Sequence, residues 1–252
     1  MNLLIIQARM GSTRLPGKVM KEINHSPLLQ VLVNRISGSS YINNTIIATT
    51  KNKEDDVIHS FCLENKIDIY RGSDWDVLDR FYRAAISFNK KPKNIIRICS
   101  DNPLLSSKVI DEVFKNYIKS GKDYFSNSNQ DPDYLEDGFD VEVFSFIALE
   151  AAWKNAKLLS EREHVCPYIK KNFSCGWKKV NKHYNYKLSV DTENDYNLVT
   201  QIFNELNQVK DFSIDEVVYL LKEKPYLLDI NKESRINSGY LKSLKNDKEI
   251  GK

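Results

Sequence analysis

Leu3-Leu4-Ile5-Ile6-Gln7-Ala8-Arg9-Met10-Gly11-Ser12-Thr13-Arg14-Leu15-Pro16-Gly17-Lys18 opens with four apolar residues and then breaks into glycines, hydroxyls and cations. A short unbroken apolar run is the pattern of a strand buried on both faces, and the glycine-bearing run after it predicts a loop at that strand's carboxyl end. Open α/β sheets bind ligands at that edge. The loop has what a polyphosphate needs: backbone N–H groups made approachable by Gly11 and Gly17, the hydroxyls of Ser12 and Thr13, and the charges of Arg9, Arg14 and Lys18. The alternative is a solvated basic turn, and three cations beside two hydroxyls directly after an apolar strand weigh against it. The stretch is not a Walker A loop: Gly11 and Gly17 stand one residue too far apart, and Val19 occupies the position where that loop needs Ser or Thr for magnesium.

Outward from this stretch, short apolar runs alternate with amphipathic ones. Helical spacing over Pro27–Ile36 is followed by a strand pattern at Thr45–Thr49, a helix at Glu54–Glu64 and a strand at Ile67–Tyr70. The alternation predicts an α/β fold, a parallel sheet with helices on both faces. Further helices are predicted over 108–119, 147–155, 196–206 and 214–222. A loop is expected at 126–136, its part 127–132 bordering an acceptor site or a subunit contact. No internal repeat is evident.

Two aspartates end apolar runs. Asn94–Cys99 delivers Ser100-Asp101-Asn102-Pro103-Leu104-Leu105, and Leu188-Ser189-Val190-Asp191 reads as a second such strand. If the two strands are neighbours, both carboxylates reach one cation. Magnesium takes one or two protein carboxylates and completes its shell with phosphate oxygens and water, so Asp101 and Asp191 are its candidate ligands. Helix capping is the competing explanation for each, and Thr192 with Asp195 reads as a helix start.

Other polar clusters admit bland explanations. Arg71-Gly72-Ser73-Asp74-Trp75-Asp76 passes from a turn into a helix with Ser73, Asp74 or Asp76 as N-caps. Phe139–Phe144 alternates acidic and apolar residues as a half-buried strand does, with Asp140 and Glu142 on one side. Ser160 followed by Glu163 reads as a capping box.

Composition narrows the class. The 252 residues are 41% hydrophobic and 28% charged, enough for a core and a polar surface. A net charge of +3, with both signs mixed, does not point to nucleic acid. No apolar run approaches the roughly 18–20 residues of a membrane span, and the N-terminus lacks a signal-peptide pattern, so a cytoplasmic protein is expected. Cys62, Cys99, Cys166 and Cys175 are scattered without a C-x-x-C pair, as reduced thiols would be.

The run Gln7–Lys18 closely resembles the signature of the cytidylyltransferases that activate acidic sugars: the CMP-Kdo synthetases, the more distant CMP-sialate synthetases and, above all, the SpsF-like spore-coat polysaccharide branch. The G-S-x-x-D-V-L-D-R string ending at Arg80 and the E-R-E-H-V-x-P-Y-I string at 161–169 are similar to that branch as well. The resemblance implies a three-layer nucleotide-diphospho-sugar transferase fold with a mixed, mostly parallel sheet. It covers about the first two hundred residues, and one catalytic domain is expected over 1–228, with a polar extension at 229–252 whose end, 245–252, is disordered.

The implied reaction joins CTP and a 2-keto-3-deoxy sugar acid to give a CMP-sugar and pyrophosphate, with Mg2+ at Asp101 and Asp191. Lys18, Arg14 and Arg9 would neutralise phosphate charge. Ala8, Gly11, Ser12 and Thr13 would cradle the nucleotide. Arg71, Gly72 and Ser73 would meet the nucleoside, and Asp140, Glu142, Glu163 and His164 are implied, more weakly, at the acceptor. Homodimers are common in the family, which makes a homodimer one candidate assembly, but the sequence shows no evident interface stripe and leaves the oligomeric state open. Asn102 departs from the Kdo synthetases, which carry Glu there, and Cys166 replaces a Thr of the SpsF-like branch. Three rivals share parts of the pattern: a nucleotidyltransferase with another base or a phosphorylated acceptor, a glycosyltransferase, and a non-catalytic nucleotide binder. A glycosyltransferase normally carries Asp-x-Asp, which Ser100-Asp101-Asn102 lacks.

Overall fold

The structure is a computed structural model that describes residues 1–128, 137–178, 186–209, 211–236, 243–244 and 247–250. In chain order these form β1 (Asn2–Gln7), β2 (Glu22–Ile23), β3 (Ser26–Pro27), α1 (Leu28–Ile36), β4 (Asn44–Thr50), α2 (Asp56–Glu64), β5 (Asp68–Gly72), α3 (Val77–Ile86), β6 (Asn94–Cys99), α4 (Ser107–Ser120), β7 (Tyr124–Ser126), β8 (Glu142–Ser145), α5 (Phe146–Asn155), α6 (Leu159–His164), α7 (Pro167–Asn172), β9 (Cys175–Trp177), α8 (Glu193–Glu205) and α9 (Ile214–Glu223). Short 3-10 turns lie at Lys18–Met20, Lys53–Asp55 and Pro225–Asn231.

Seven strands make one sheet in the order β5-β4-β1-β6-β8-β7-β9, and β2 pairs with β3 in a separate small hairpin. β5, β4, β1 and β6 run parallel, β8 lies antiparallel between β6 and β7, and β9 is parallel to β7. The sheet is thus mixed and mostly parallel, with β1 an interior strand, third of the seven, hydrogen-bonded to β4 on one side and β6 on the other. Leu4 and Ile6 point into a core shared with α1, α4, α8 and α9, whereas Leu3 and Ile5 point into a second core with α3, α5 and α7. All four are fully buried. Burying each contributes about 1.5–3 kcal/mol, which is why the run is apolar at every position rather than at alternate ones.

Several expectations are corrected. Leu188–Asp191 is not a strand. Its amides are taken singly, Ser189 N–H by the Asp137 carboxylate (2.8 Å) and Val190 N–H by the Asp101 carbonyl (2.8 Å), instead of by a ladder. The predicted strand 139–144 shrinks to Glu142–Ser145, because the Asn127 side chain donates to the Phe139 carbonyl (2.9 Å) and accepts from Val141 N–H (2.8 Å) where a neighbouring strand would bond. Glu142 is consequently not on a solvent edge but buried. Ser160 does not cap α6: it lies inside the helix, and Glu161 receives the N–H groups of Lys157 and Leu158 at 2.9 and 3.1 Å.

At the C-terminus, the domain boundary expected after residue 228 falls within the 3-10 turn Pro225–Asn231, whose last residue is buried and donates to the Lys187 carbonyl and Asp195 Oδ1. Part of the tail expected to be disordered, 247–250, pairs with 157–160: Leu159 N–H meets the Lys248 carbonyl at 2.9 Å, Ile250 N–H the Lys157 carbonyl at 2.8 Å, and Ser160 Oγ donates to Asp247 at 2.7 Å. Residues 129–132, expected near an acceptor or subunit contact, lie outside the described residues.

Candidate active site

The loop after β1 leaves the sheet and folds on itself. Gly17 N–H and Ser12 N–H both donate to the Met10 carbonyl (2.9 and 2.8 Å), and Met10 N–H is taken by Asp55 Oδ1 at 2.7 Å. Gly17 sits at φ +70°, in the left-handed region that glycine adopts without strain, and the chain turns there into the 3-10 segment that carries Lys18 inward. Leu15 and Val19 are buried in the first core and anchor the loop from below.

Lys18 is the hub. Its side chain is 10% exposed, and Nζ donates to Asp101 Oδ2 at 2.9 Å, Asp191 Oδ1 at 3.0 Å and the Val190 carbonyl at 2.7 Å. Burial works against its charge, but the two carboxylates outweigh burial and hold its pKa above the ordinary lysine value. Arg14 Nη2 reaches the same Asp191 oxygen at 2.8 Å. The other oxygen of Asp191 faces Lys187 Nζ at 3.1 Å, and Lys187 is held in turn by Asp137 Oδ2 (3.1 Å) and the Ser189 carbonyl (2.7 Å). Burial pushes the Asp191 carboxyl up, but Lys18, Lys187 and Arg14 bring it down to about 2. The backbone of this segment is pinned by Gly138: at φ +99°, a Cβ there would stand 2.7 Å from the Leu188 carbonyl carbon.

These groups border a cleft of about 720 Å³ across the carboxyl edge of the parallel strands. Of the residues expected from sequence, Ala8, Arg9, Ser12, Thr13, Arg14, Lys18, Asp101, Glu163, His164 and Asp191 line it. Gly11 does not, although it belongs to the same loop, and a Cβ there would meet the Glu54 carboxylate. Arg9 extends to Asp74 Oδ1 at 2.8 Å, on the far rim.

Five other expected residues lie outside the lining, and the structure shows what each does. Arg71 is fastened to the carbonyls of Thr50 and Asn52 (both 2.9 Å) and to Asp56 (2.7 Å). Gly72 and Ser73 pack beneath the Arg80 side chain, with the Ser73 carbonyl accepting from Arg80 Nη1 at 2.8 Å. Ser73 Oγ also accepts from Asp76 N–H, and Asp76 from Asp79 N–H, so the capping explanation of this turn holds. Glu142 takes an ion pair from Arg97, another from Lys170 at 3.0 Å and the Tyr124 hydroxyl at 2.6 Å. Burial opposes its charge, and Lys170 and Arg97 overcome this to leave it well below the usual carboxylate range. Asp140 accepts from Gly138 N–H at 3.2 Å. Burial and the neighbouring Asp137 raise its pKa to about 6.

His164 Nε2 lies 2.5 Å from Ser243 Oγ, a residue of the tail that also lines the cleft. Burial and the charge of Arg97 depress the imidazole to about 4, so it is neutral at pH 7. Sequence reading did not pick out Gln7, Arg80, Leu159, Lys187 or Ser243. Arg80 ends the G-S-x-x-D-V-L-D-R string, but nothing local distinguishes it from a solvated helical arginine. Lys187 stands four residues before Asp191, without any motif.

The fit of a divalent cation can be judged from the donors. Asp101 Oδ2 and Asp191 Oδ1 both lie within 3.0 Å of one ammonium nitrogen, so two hard oxygens converge on the space of a single cation. Among the described residues no group of three His, Cys, Asp or Glu could close a metal cage. That space is held by the Lys18 ammonium, and two carboxylates are the number of protein ligands that magnesium usually takes, with phosphate oxygens and water completing its shell.

Comparison with known proteins bears on the family and the fold. The sequence pattern of the cytidylyltransferase family matches residues 3–236. The uncharacterized protein MJ1063 of Methanocaldococcus jannaschii is 36% identical over 240 residues, 93% of this chain and 96% of that one. The spore coat polysaccharide biosynthesis protein SpsF of Bacillus subtilis is 30% identical over 237 residues, 88% of this chain and 95% of that protein. A solved cytidylyltransferase from Leptospira borgpetersenii superimposes with a TM-score of 0.84 at 28% identity, covering 93% of this chain and 98% of the other.

Proposed function

Because the chain belongs to the cytidylyltransferase family, we propose that it joins CTP to an acidic sugar of the 2-keto-3-deoxy, Kdo- or sialic-like class, releasing pyrophosphate, as a cytoplasmic step toward a surface polysaccharide. The observation that carries this reading is the meeting of Lys18, Asp101 and Asp191, from three distant parts of the chain, at the floor of one cleft. The acidic character of the sugar is supported by the likeness of Gln7–Lys18 to the enzymes that activate such acids. The polysaccharide role is supported by the relative SpsF, whose name states it.

In the reaction, an acceptor hydroxyl oxygen forms a bond to the α-phosphorus of CTP, the bond from that phosphorus to the bridging oxygen breaks, and pyrophosphate leaves with both electrons. The hydroxyl proton passes to solvent. Little covalent work falls to the protein, so positioning and charge neutralisation dominate. The Ser12 N–H is taken by the Met10 carbonyl, so the Thr13 N–H and the hydroxyls of Ser12 and Thr13 would hold phosphate oxygens, and Arg9, Arg14 and Lys18 would offset the charge that develops on the leaving pyrophosphate. Asp101 and Asp191 would hold Mg2+ once Lys18 turns from them toward the phosphates, and the ion would supply Lewis-acid polarisation of the phosphate. Glu163 and His164 also line the cleft, and in this reading they would meet the acceptor. A neutral imidazole with a pKa of about 4 is a weak base, so no side-chain general base is assigned.

The test is magnesium-dependent pyrophosphate release from each of the four nucleoside triphosphates, against a panel of Kdo-like and sialic-like acids, with Asp101→Asn as control. Release with CTP and one acid, lost in the variant, is the expected result. Tight CTP binding with no release from any acid would sink the acidic-sugar assignment.

A further inference from the structure

Arg80 is an unusual charge among the described residues. It is 2% exposed, yet it lines the cleft beside Arg9. Its guanidinium carries five N–H donors, and among the described residues its one hydrogen bond runs from Nη1 to the neutral Ser73 carbonyl at 2.8 Å. Nε is buried and has no partner among the described residues. The nearby carboxylates are committed elsewhere: Asp76 to Arg162 at 3.0 and 3.1 Å, Asp55 to Met10 N–H and the Thr50 hydroxyl, and Asp74 to Arg9. Burial, with the charge of Arg9, pulls the Arg80 pKa down to about 10, so it remains a cation at neutral pH.

The surroundings are shaped to accept this side chain. Gly72, at the end of β5, leaves room for it: a Cβ there would stand 3.1 Å from Arg80 Cγ and 3.3 Å from Arg80 Cβ. Asp74, Asp55 and Asp76 favour the charge from a distance, but burying a guanidinium with no hydrogen-bonded anion is unfavourable for folding, and a well-packed apolar side chain in the same space would avoid that cost. Because Arg80 lines the cleft, a bound anion could supply the acceptors that its guanidinium lacks.

We infer that Arg80, paired across the cleft wall with Arg9, is a receptor for an oxyanion of the bound substrates, a phosphate or carboxylate group that enters with the ligand and completes the guanidinium's hydrogen bonds. A planar guanidinium with free N–H groups matches such an anion in two-point fashion. Two sources carry this chemistry in the reading given above, on which the choice between them rests: the nucleotide's phosphates and the carboxylate of the acid acceptor.

Arg80→Met and Arg80→Lys, compared with wild type, separate the possibilities. Binding of inorganic pyrophosphate, CMP and CTP is measured calorimetrically, the KM for the acid acceptor at saturating CTP is measured by pyrophosphate release, and the melting temperature is recorded without ligand. The expected result is a loss of roughly 10–100-fold in affinity for one class of anion in Arg80→Met, as for a charge-assisted hydrogen bond removed from a buried site. Arg80→Lys should fall between the two, and the ligand-free melting temperature of Arg80→Met should equal or exceed that of wild type. A loss confined to pyrophosphate, CMP and CTP assigns the anion to the nucleotide, and a loss confined to the acceptor KM assigns it to the acid. Constants within about two-fold of wild type throughout would overturn the role of Arg80 and leave the proposed reaction standing, as would a lowered melting temperature in both variants with unchanged affinities. Arg80-dependent binding of pyrophosphate in a protein that does not bind CTP would uphold Arg80 and overturn the reaction. Failure of wild type to bind any of these anions would overturn both.

Discussion

Replacing Lys187 by Met asks whether the segment carrying Asp191 is held by charge. The ammonium is 5% exposed and contacts Asp137 Oδ2 and Asp191 Oδ2, each at 3.1 Å, as well as the Ser189 carbonyl at 2.7 Å. Removing one partner of a buried pair costs about 3–5 kcal/mol, because the remaining charge stays buried and uncompensated. Asp191 retains Lys18 and Arg14, so it is not stranded. Asp137 retains, among the described residues, only the Ser189 N–H at 2.8 Å. One stranded carboxylate puts the expected loss at the lower end, about 3 kcal/mol. With a urea slope of about 3 kcal/mol/M, the midpoint falls by about 1 M. Adding Asp137→Asn keeps an acceptor for Ser189 N–H while removing the stranded charge, and should recover at least half of the loss. The assay is urea unfolding followed by circular dichroism at pH 7. A midpoint for Lys187→Met within about 0.3 M of wild type, or a double variant less stable than the single, would refute the charge-pinning argument.

Two further expectations follow from the same kind of reasoning. His164 is held near pKa 4 against an ordinary value of 6.5, so below about pH 6.5 the unfolded chain binds a proton that the native state refuses. Its stabilising contribution is complete above pH 6.5 and is lost as the pH falls toward 4, by about 3 kcal/mol at most. The difference in urea midpoint between wild type and His164→Gln should therefore change between pH 7 and about pH 4.5, in the direction that penalises wild type in acid; an unchanged difference contradicts the shift. Gly138→Ala places a methyl group 2.7 Å from the Leu188 carbonyl carbon at φ +99°. It should destabilise by about 2–4 kcal/mol and lower the melting temperature by roughly 5–10 °C, and a drop under about 2 °C would remove this glycine from the account.

The central strand and its loop were legible because their cause is local. Four consecutive apolar residues have to be covered on both sides, and glycine at a turn answers to its own backbone torsion. The same holds for Thr192 and Asp195, which form the expected reciprocal cap at the start of α8. Readings failed where a side chain took over a backbone partner. Asn127 occupies the hydrogen bonds that would have extended β8, and Asp137 takes an amide that would have belonged to a strand at 188–191. Glu142 alternated with apolar neighbours as a surface residue does, but two cations and a tyrosine hydroxyl converge on it from β6, α7 and β7. Periodicity cannot tell a carboxylate facing water from one facing buried cations.

By itself, the sequence determined the alternation of strands and helices, the cation-rich loop at the edge of the central strand, and the two aspartates offered as a pair. Each depends on residues a few positions apart, where covalent geometry and side-chain type decide the outcome. The tertiary structure alone decided that Lys18 meets Asp101 across 83 positions and Asp191 across 173, that Lys187 pins the far oxygen of Asp191, and that Arg80 is buried at the cleft wall instead of solvated on its helix. Those contacts depend on how the parallel strands stack side by side and how the 188–191 segment is laid against β6. That placement is set by packing summed over the whole core, and no local pattern records it.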